Sequence, residues 1–332
     1  MTELQNPPTA SRLERITGAL LGVHAGDSLG ATLEFCTWEQ IQNSYPDGLR
    51  EIIGGGAFGW PPGHATDDTD LTRAVLLAYL DPGSDVVRAA ASTMLEWYTG
   101  DWPDRQPGDT PVDVGGATQA GLINYRRTGD PRTSGVGEGQ AGNGSLMRCI
   151  PTALAVPDRA QRIWDSIQIS AITHDDPRCT ASCAAYNEMV AALIGGRSTE
   201  PVSVKEAVAA GLATAQAQGV ESVVEAIRYG AALSLPAAVQ TGQTFLEDDG
   251  AGYVLDSLSL AVAAVLDPRS LEDVLVDVAR LGLDADTNAA IAGGLLGARD
   301  GAGAIPRRWT SKLQFAREFE AAAREIAGWE DR

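Results

Sequence analysis

Two short knots of oxygen-bearing side chains stand far apart in the chain: Thr66, Asp67 and Asp68 within GHATDDTDLT (63–72), and Asp284, Asp286 and Thr287 within LGLDADTNAAIAGGLLGA (281–298). Each sits just ahead of a run that must be buried, the first before Ala74 to Leu80. Crowded carboxylates repel and raise one another's pKa unless a cation or solvent relieves them. A helix cap accounts for one residue of each knot, and Thr287 or Asp286 is well suited to that position. It does not account for three. Residues two apart do not share a helix face, so Asp284 and Asp286 converge only where the backbone is non-helical, as in a loop wrapped around a cation. A pure oxygen donor set suits Mg²⁺, Mn²⁺ or Ca²⁺ rather than zinc or copper. Four or five carboxylates exceed the need of one divalent ion, which makes two ions sharing bridging carboxylates the natural inference. The ligands do not fall inside one twelve-residue loop, which excludes an EF-hand. On the residues alone, caps and solvated helix faces stay open as the alternative.

Other candidate chemistry is sparse. The histidines are His24, His64 and His174. His174, in SAITHDDPRC at an expected helix end, fits a structural role or a ligand contact. No Ser/His/Asp or Cys/His set stands out. The turn Gly142-Asn143-Gly144-Ser145 is a weak anion-binding signal, and GEGQAGNG lacks the preceding strand that a Rossmann loop needs.

The elements that must position these groups are helical. Apolar residues recur at helical spacing in 86–98, 162–173, 179–194, 204–218, 271–282 and 312–329, the last with a stripe at Leu313, Ala316, Phe319, Ala323 and Ile326. Period-two runs are nearly absent. The spacing predicts a compact, almost all-α domain of roughly a dozen helices. In GALLGVHAGDSLGATLEF (18–35), read as the first long helix, Gly18, Gly22, Gly26 and Gly30 recur every fourth residue. Each glycine costs about 1 kcal/mol relative to alanine, so four need a reason: close approach of another helix, with Asp27 and Glu34 near one end. His24, Asp27 and Glu34 argue against a membrane span. Loops concentrate at 99–114 and 128–145, the second carrying six glycines; such long connections in a compact domain usually bind something.

The chain has 332 residues, 44% of them hydrophobic, and a net charge of −19. That charge excludes a general nucleic-acid or anionic-membrane surface, while leaving room for a small anion gripped locally. Cys36, Cys149, Cys179 and Cys183 form no zinc set and read as reduced core residues, consistent with a cytoplasmic location. The N-terminal segment lacks a signal-peptide pattern, and no apolar run is long enough to span a membrane. One domain over residues 10–330 is expected, with 1–9 as a flexible tail.

Six segments in order, GALLGVHAGDSLGATLEF, PPGHATDDTDLT, GNGSLMRCIP, SAITHDDPRC, GAGYVLDSLSLAVAA and LDADTNAAIAGGLLGA, resemble the ADP-ribosylglycohydrolase family over nearly the whole chain. The resemblance implies an all-α, orthogonal multi-helical single domain with a cleft holding two divalent cations, Mg²⁺ or Mn²⁺. It implies removal of ADP-ribose from a modified protein side chain or small molecule by hydrolysis at C1″ of the ribose, with ADP-ribose as product. A different ADP-ribose-like glycosidic linkage and a non-catalytic relative are the alternatives. Nucleic acid enters only as a modified substrate, no membrane is involved, and a monomer is expected.

Carried onto this sequence, the family pattern makes Thr66, Asp67, Asp68, Asp284, Asp286 and Thr287 the metal ligands. Thr69 and Asp70 become helix-start residues or supports behind them. Glu34, Asp68 and Asp113 are the catalytic candidates, with Glu34 or Asp68 transferring the proton and carboxylates stabilising oxocarbenium character at the anomeric carbon. Asn143, Gly144, Ser145 and Met147, with Arg148 following, match the segment that holds ribose and pyrophosphate; His174 and Tyr253 match positions near the distal part of ADP-ribose. Ala65 and Ser145-Leu146 depart from residues common in relatives, which bears on pocket shape and leaves the ligands intact.

Overall fold

A computed structural model of the chain describes residues 10–81, 83, 85–195, 202–242 and 252–331; the expected tail, 1–9, lies outside them. The first half carries α1 (Arg12–Gly30), α2 (Trp38–Ser44), α3 (Asp67–Leu80), α4 (Val86–Tyr98), α5 (Gly116–Thr128), α6 (Ile150–Ala155) and α7 (Arg159–Ala171). Then follow α8 (Pro177–Ile194), α9 (Val204–Gln218), α10 (Glu221–Ala232), α11 (Leu235–Thr241) and α12 (Val254–Leu266). The last four are α13 (Leu271–Arg280), α14 (Ala285–Asp300), α15 (Arg307–Thr310) and α16 (Ala316–Ala327). Among the described residues there is no strand, only isolated bridges at Gly55–Trp60 and Gly142–Tyr253. The all-α reading holds, and the long helices fall where periodicity puts them. The excess over a dozen comes mainly from α2, α6, α11 and α15, each seven residues or shorter, too brief for a 3.6-residue period to register.

The glycine ladder packs α1 antiparallel against α14. Gly18 faces Gly297, Gly22 faces Gly293, Gly26 faces Ala289, and Gly30 faces Ala285 and Asp286; a Cβ at any of the four would overlap a backbone carbonyl oxygen opposite. Side-chain-free contact lets two backbones approach to a distance no alanine pair allows here. The consequence is positional. The C-terminal end of α1 is pinned beside the N-terminal end of α14, so Asp27 and Glu34 are brought to Asp284 and Asp286.

Two boundaries differ from the sequence reading. The first helix stops at Gly30, and Ala31–Phe35 form turns, because Phe35 N–H donates to Leu283 O (2.7 Å) and Leu283 N–H to Cys36 O (2.8 Å). That clasp draws the chain towards the loop before α14. The last long helix begins at Ala316 rather than 312, because Gln314 N–H is diverted to Gly63 O (2.9 Å). Leu313 stays buried all the same, and Phe315 and Phe319 pack on the fully buried His24 ring.

All four cysteines are free, and only Cys36 is not fully buried. No helix among the described residues is long and apolar enough to cross a membrane.

Candidate functional site

Three helix ends meet at one point. The N-termini of α3 and α14 arrive with Asp67, Asp68 and Asp284, Asp286, and α1 arrives with Asp27. Thr66 is the N-cap of α3; its Oγ1 accepts from Asp68 N–H (3.3 Å) and donates to Asp68 Oδ2 (3.1 Å). Asp284, not Asp286 or Thr287, holds the N-cap position of α14, with φ −87° and ψ 58° and no side-chain cap bond. With the backbone non-helical at Asp284, its carboxylate and that of Asp286, two residues later, line the same cavity. Thr287 Oγ1 donates to Asp68 Oδ2 (3.3 Å), tying the two knots together across the interface. The positive ends of α3 and α14 favour carboxylates there, yet supply only fractional charge.

Asp27, which the sequence marks only as lying near the end of the glycine helix, is the keystone. Its Oδ2 accepts from Thr66 N–H (3.1 Å), Thr69 N–H (3.2 Å) and the Thr69 hydroxyl. Thr69 therefore supports rather than ligates. Asp70 does likewise in the opposite direction, accepting from Trp97 Nε1 and Trp102 Nε1, both at 2.8 Å. Trp102 belongs to loop 99–115, which also carries Asp113.

Glu34, Asp113 and Asp286 each offer a carboxylate oxygen within 4.8 Å of the other two. Asp27 Oδ1, Glu34 Oε2, Asp68 Oδ1, Asp113 Oδ2 and Asp286 Oδ1 are buried and receive no hydrogen bond from any described protein group. Buried carboxylate oxygens without donors are costly. Burial first, and then the neighbouring carboxylates, push Asp67, Asp68 and Asp286 well above the usual range. Asp284 is raised by burial against the opposing hydrogen bonds from Asn143 and Thr287. Burial raises Glu34 to about 8, helped by Asp113 and Asp284, and Asp113 to about 6, helped by Asp284. Burial also raises Asp27 to about 7 despite its hydrogen bonds from Thr69 and Thr66. A cluster this poor in donors and rich in negative charge fits divalent cations: they satisfy the orphaned oxygens and restore the ionised forms together.

The cluster opens on a cavity of about 340 Å³, lined at this end by Glu34, Asp67, Asp113, Asp284, Asp286 and Thr287. The far end is lined by Gly142, Asn143, Gly144, Met147, Thr118 and His174. Asn143 joins the two ends: its Nδ2 donates to Asp284 Oδ2 (2.6 Å) and Ser257 Oγ (2.9 Å). Arg148 is fully buried and turned away from the cavity, donating to Gly144 O and, through Nη2, to Thr173 Oγ1 (2.6 Å). Thr173 Oγ1 lies 2.7 Å from His174 Nδ1. Arginine only donates, so the Thr173 hydroxyl keeps its hydrogen for Nδ1, which assigns the imidazole proton to Nε2. Burial, with Arg148 close by, depresses His174 to about 3. The ring is neutral, with Nε2 beside Gly142 and Gly144.

The remaining sequence candidates, Ser145 and Tyr253, do not line the cavity. Ser145 Oγ faces inward and accepts from Ser170 Oγ (2.9 Å). Tyr253 precedes α12, forms the bridge with Gly142 and accepts from Arg178 Nη1 through its hydroxyl (3.3 Å). Thr66 and Asp68 underlie the cavity floor rather than lining it. Phe35, Val114 to Thr118 and Gly252 also line the cavity without having been singled out; Phe35 is held by Leu283 and Gly252 by Asn143, long-range bonds that local spacing does not announce.

Residues 8–331 match the family model described as ADP-ribosylglycohydrolase. The chain is 31% identical over 313 residues to ADP-ribosyl-[dinitrogen reductase] glycohydrolase of Rhodospirillum rubrum, covering 92% of both. It is 27% identical over 324 residues to ADP-ribosylarginine hydrolase Tri1 of Pseudomonas putida, covering 95% of this chain and 78% of that one. A solved structure titled ADP-ribosylglycohydrolase-related protein complex superposes with a TM-score of 0.75 at 28% identity, covering 95% of this chain and 98% of that one.

Proposed function

This chain belongs to the ADP-ribosylglycohydrolase family, and on that premise we propose that it is a metal-dependent hydrolase that releases ADP-ribose from a modified acceptor by cleaving the glycosidic bond at C1″. What carries this reading is one cavity that joins a donor-poor carboxylate cluster to a glycine-rich, neutral pocket. The second end suits a ribose and diphosphate, the first the anomeric carbon and its acceptor.

Thr66, Asp67, Asp68, Asp284, Asp286 and Thr287 would hold two divalent cations, Mg²⁺ or Mn²⁺, whose charge offsets the carboxylates and orients the ribose hydroxyls and the attacking water. Glu34 is the better proton-transfer group of the two candidates. It lines the cavity beside Asp113, with Oε2 left without a donor among the described residues, so its carboxyl is placed to exchange a proton with a bound substrate or water. Asp68 lies beneath the floor, its Oδ2 already engaged by Thr66 and Thr287, which suits holding rather than proton transfer. Asp113 stands beside Glu34, placed to offset positive charge as C1″ acquires oxocarbenium character. His174 Nε2–H and the backbone of 142–144 would hold the substrate's oxygens without a basic patch, which reconciles an anionic ligand with a net charge of −19. Arg148, Ser145 and Tyr253 position that wall. The cavity is complete within one chain, which fits a monomer.

The test is release of ADP-ribose from arginine-, serine- and nucleobase-linked substrates with Mg²⁺ or Mn²⁺, then with EDTA. Release from at least one, abolished by EDTA and restored by metal, is the expected result. Release from none, with Asp286→Ala altering neither metal content nor ligand binding, would contradict the reading.

A further inference from the structure

One aromatic side chain at the cavity is placed at a cost and left in solvent. Phe35 has φ 61°, a backbone region that non-glycine residues rarely occupy, and its side chain is 59% exposed while lining the cavity directly after Glu34. The conformation is enforced, not incidental. Phe35 N–H bonds Leu283 O, Leu283 N–H bonds Cys36 O, and Leu283 itself has φ 57°. Two strained residues thus clasp each other at the entrance, one on the segment after α1 and one before α14. Phe35 also heads a row of rings: Phe58 at 6.1 Å, edge-on, then Trp60 at 5.9 Å from Phe58, then His64 stacked at 5.0 Å on Trp60. Core packing gives no reason for such an arrangement, because Phe58 too is exposed, at 38%.

We propose that Phe35 is the acceptor-side specificity residue, its ring face stacking the planar cation of a guanidinium acceptor as ADP-ribose is released. This rests on the functional reading above, which seats ADP-ribose at the glycine-rich end and leaves the acceptor at the carboxylate end, where Phe35 stands. Aromatic faces attract cations, and a guanidinium is flat, weakly hydrated and suited to stacking. Glu34 and Asp113 line the cavity beside the ring with oxygens that can accept from a guanidinium's N–H groups, and the chain as a whole carries −19. A serine acceptor offers neither a plane nor a charge; a nucleobase offers a plane without the charge.

The experiment compares wild type, Phe35→Ala and Phe35→Tyr on arginine- and serine-linked ADP-ribosyl peptides and a nucleobase-linked substrate, with the affinity for free ADP-ribose measured alongside. The wild type should prefer the arginine-linked peptide. Phe35→Ala should lower kcat/KM for that peptide tenfold or more, and Phe35→Tyr should restore it to within threefold. Affinity for ADP-ribose should stay within twofold in both variants, which a damaged fold would not allow. A wild type that prefers the serine- or nucleobase-linked substrate overturns the inference and leaves the hydrolase reading standing. So does a Phe35→Ala enzyme unchanged on the arginine-linked peptide, or slowed equally on every substrate. A wild type inactive on all three, with metal present, overturns both.

Discussion

The two ends of the cavity are built on opposite principles. At the glycine-rich end most polar links are closed within the protein: Arg148 holds Gly144 and Thr173, Thr173 holds His174, and His174 is left neutral with a single donor to offer. Thr118 Oγ1 and Arg148 Nε alone in this group have no partner among the described residues. At the carboxylate end the links are left open. Five buried carboxylate oxygens have no donor among the described residues, and every acid in the cluster titrates high. A self-satisfied network is rigid and ready before ligand arrives; an unsatisfied one is stable only when something positive joins it. One end is therefore a largely preformed wall, and the other an acidic cluster whose open oxygens a cation would satisfy.

The largest expected effect separates chemistry from binding. Glu34→Gln should lower kcat by about 10²- to 10⁴-fold with ADP-ribose affinity nearly unchanged. His174→Ala should do the reverse, weakening ADP-ribose binding about tenfold, as loss of one buried donor implies, with metal binding intact. Steady-state kinetics with product-binding titrations would separate the two, and equal losses in both variants would erase the distinction between the ends.

A smaller effect comes from the ladder that brings the acids together. Gly26→Ala pushes a methyl into the Ala289 carbonyl and should cost about 1–3 kcal/mol, typical of overpacking, seen as a lower Tm. Because the strain falls beside Asp27, divalent-cation affinity should fall as well while the glycine-rich end keeps its ligand. An unchanged Tm would mean that the α1–α14 approach is not tight.

The smallest effect is a pH slope. In the metal-free protein Asp27 is raised to about 7 and Glu34 to about 8, against ordinary values near 4. Raised carboxyls bind protons in the fold that the unfolded chain has already released, so their stability is lost as pH rises through 7 to 8. His24 and His174, depressed to about 3, act oppositely, but their contribution is complete above the ordinary histidine pKa near 6.5. Between pH 6.8 and 8.8 the EDTA-treated protein should therefore lose Tm, and saturating Mg²⁺ or Mn²⁺ should remove most of the loss. A flat metal-free Tm would contradict the raised carboxyls.

What could be read in advance follows the same division. Helix content, the glycine ladder as a helix contact, and the two acidic knots are written in local spacing, and all three are present in the fold. The site's supports are not local. Asp27 acts on Thr66 and Thr69, about forty positions away, and nothing at Asp27 indicates which helix end it will meet. The hydroxyl of Ser145 turns into the core towards Ser170, and Phe35 is aimed by Leu283 from the far end of the sequence. Periodicity assigns a face of a helix; it does not say which helix ends converge.

The central claim is that the carboxylate end is a two-cation centre. Equilibrium dialysis against Mn²⁺ near pH 7.5, on wild type, Asp286→Ala and His174→Ala, tests it most directly. The account predicts two Mn²⁺ per chain in wild type and in His174→Ala, and a loss of binding in Asp286→Ala. No stoichiometric Mn²⁺ in wild type, or equal binding in Asp286→Ala, would contradict it.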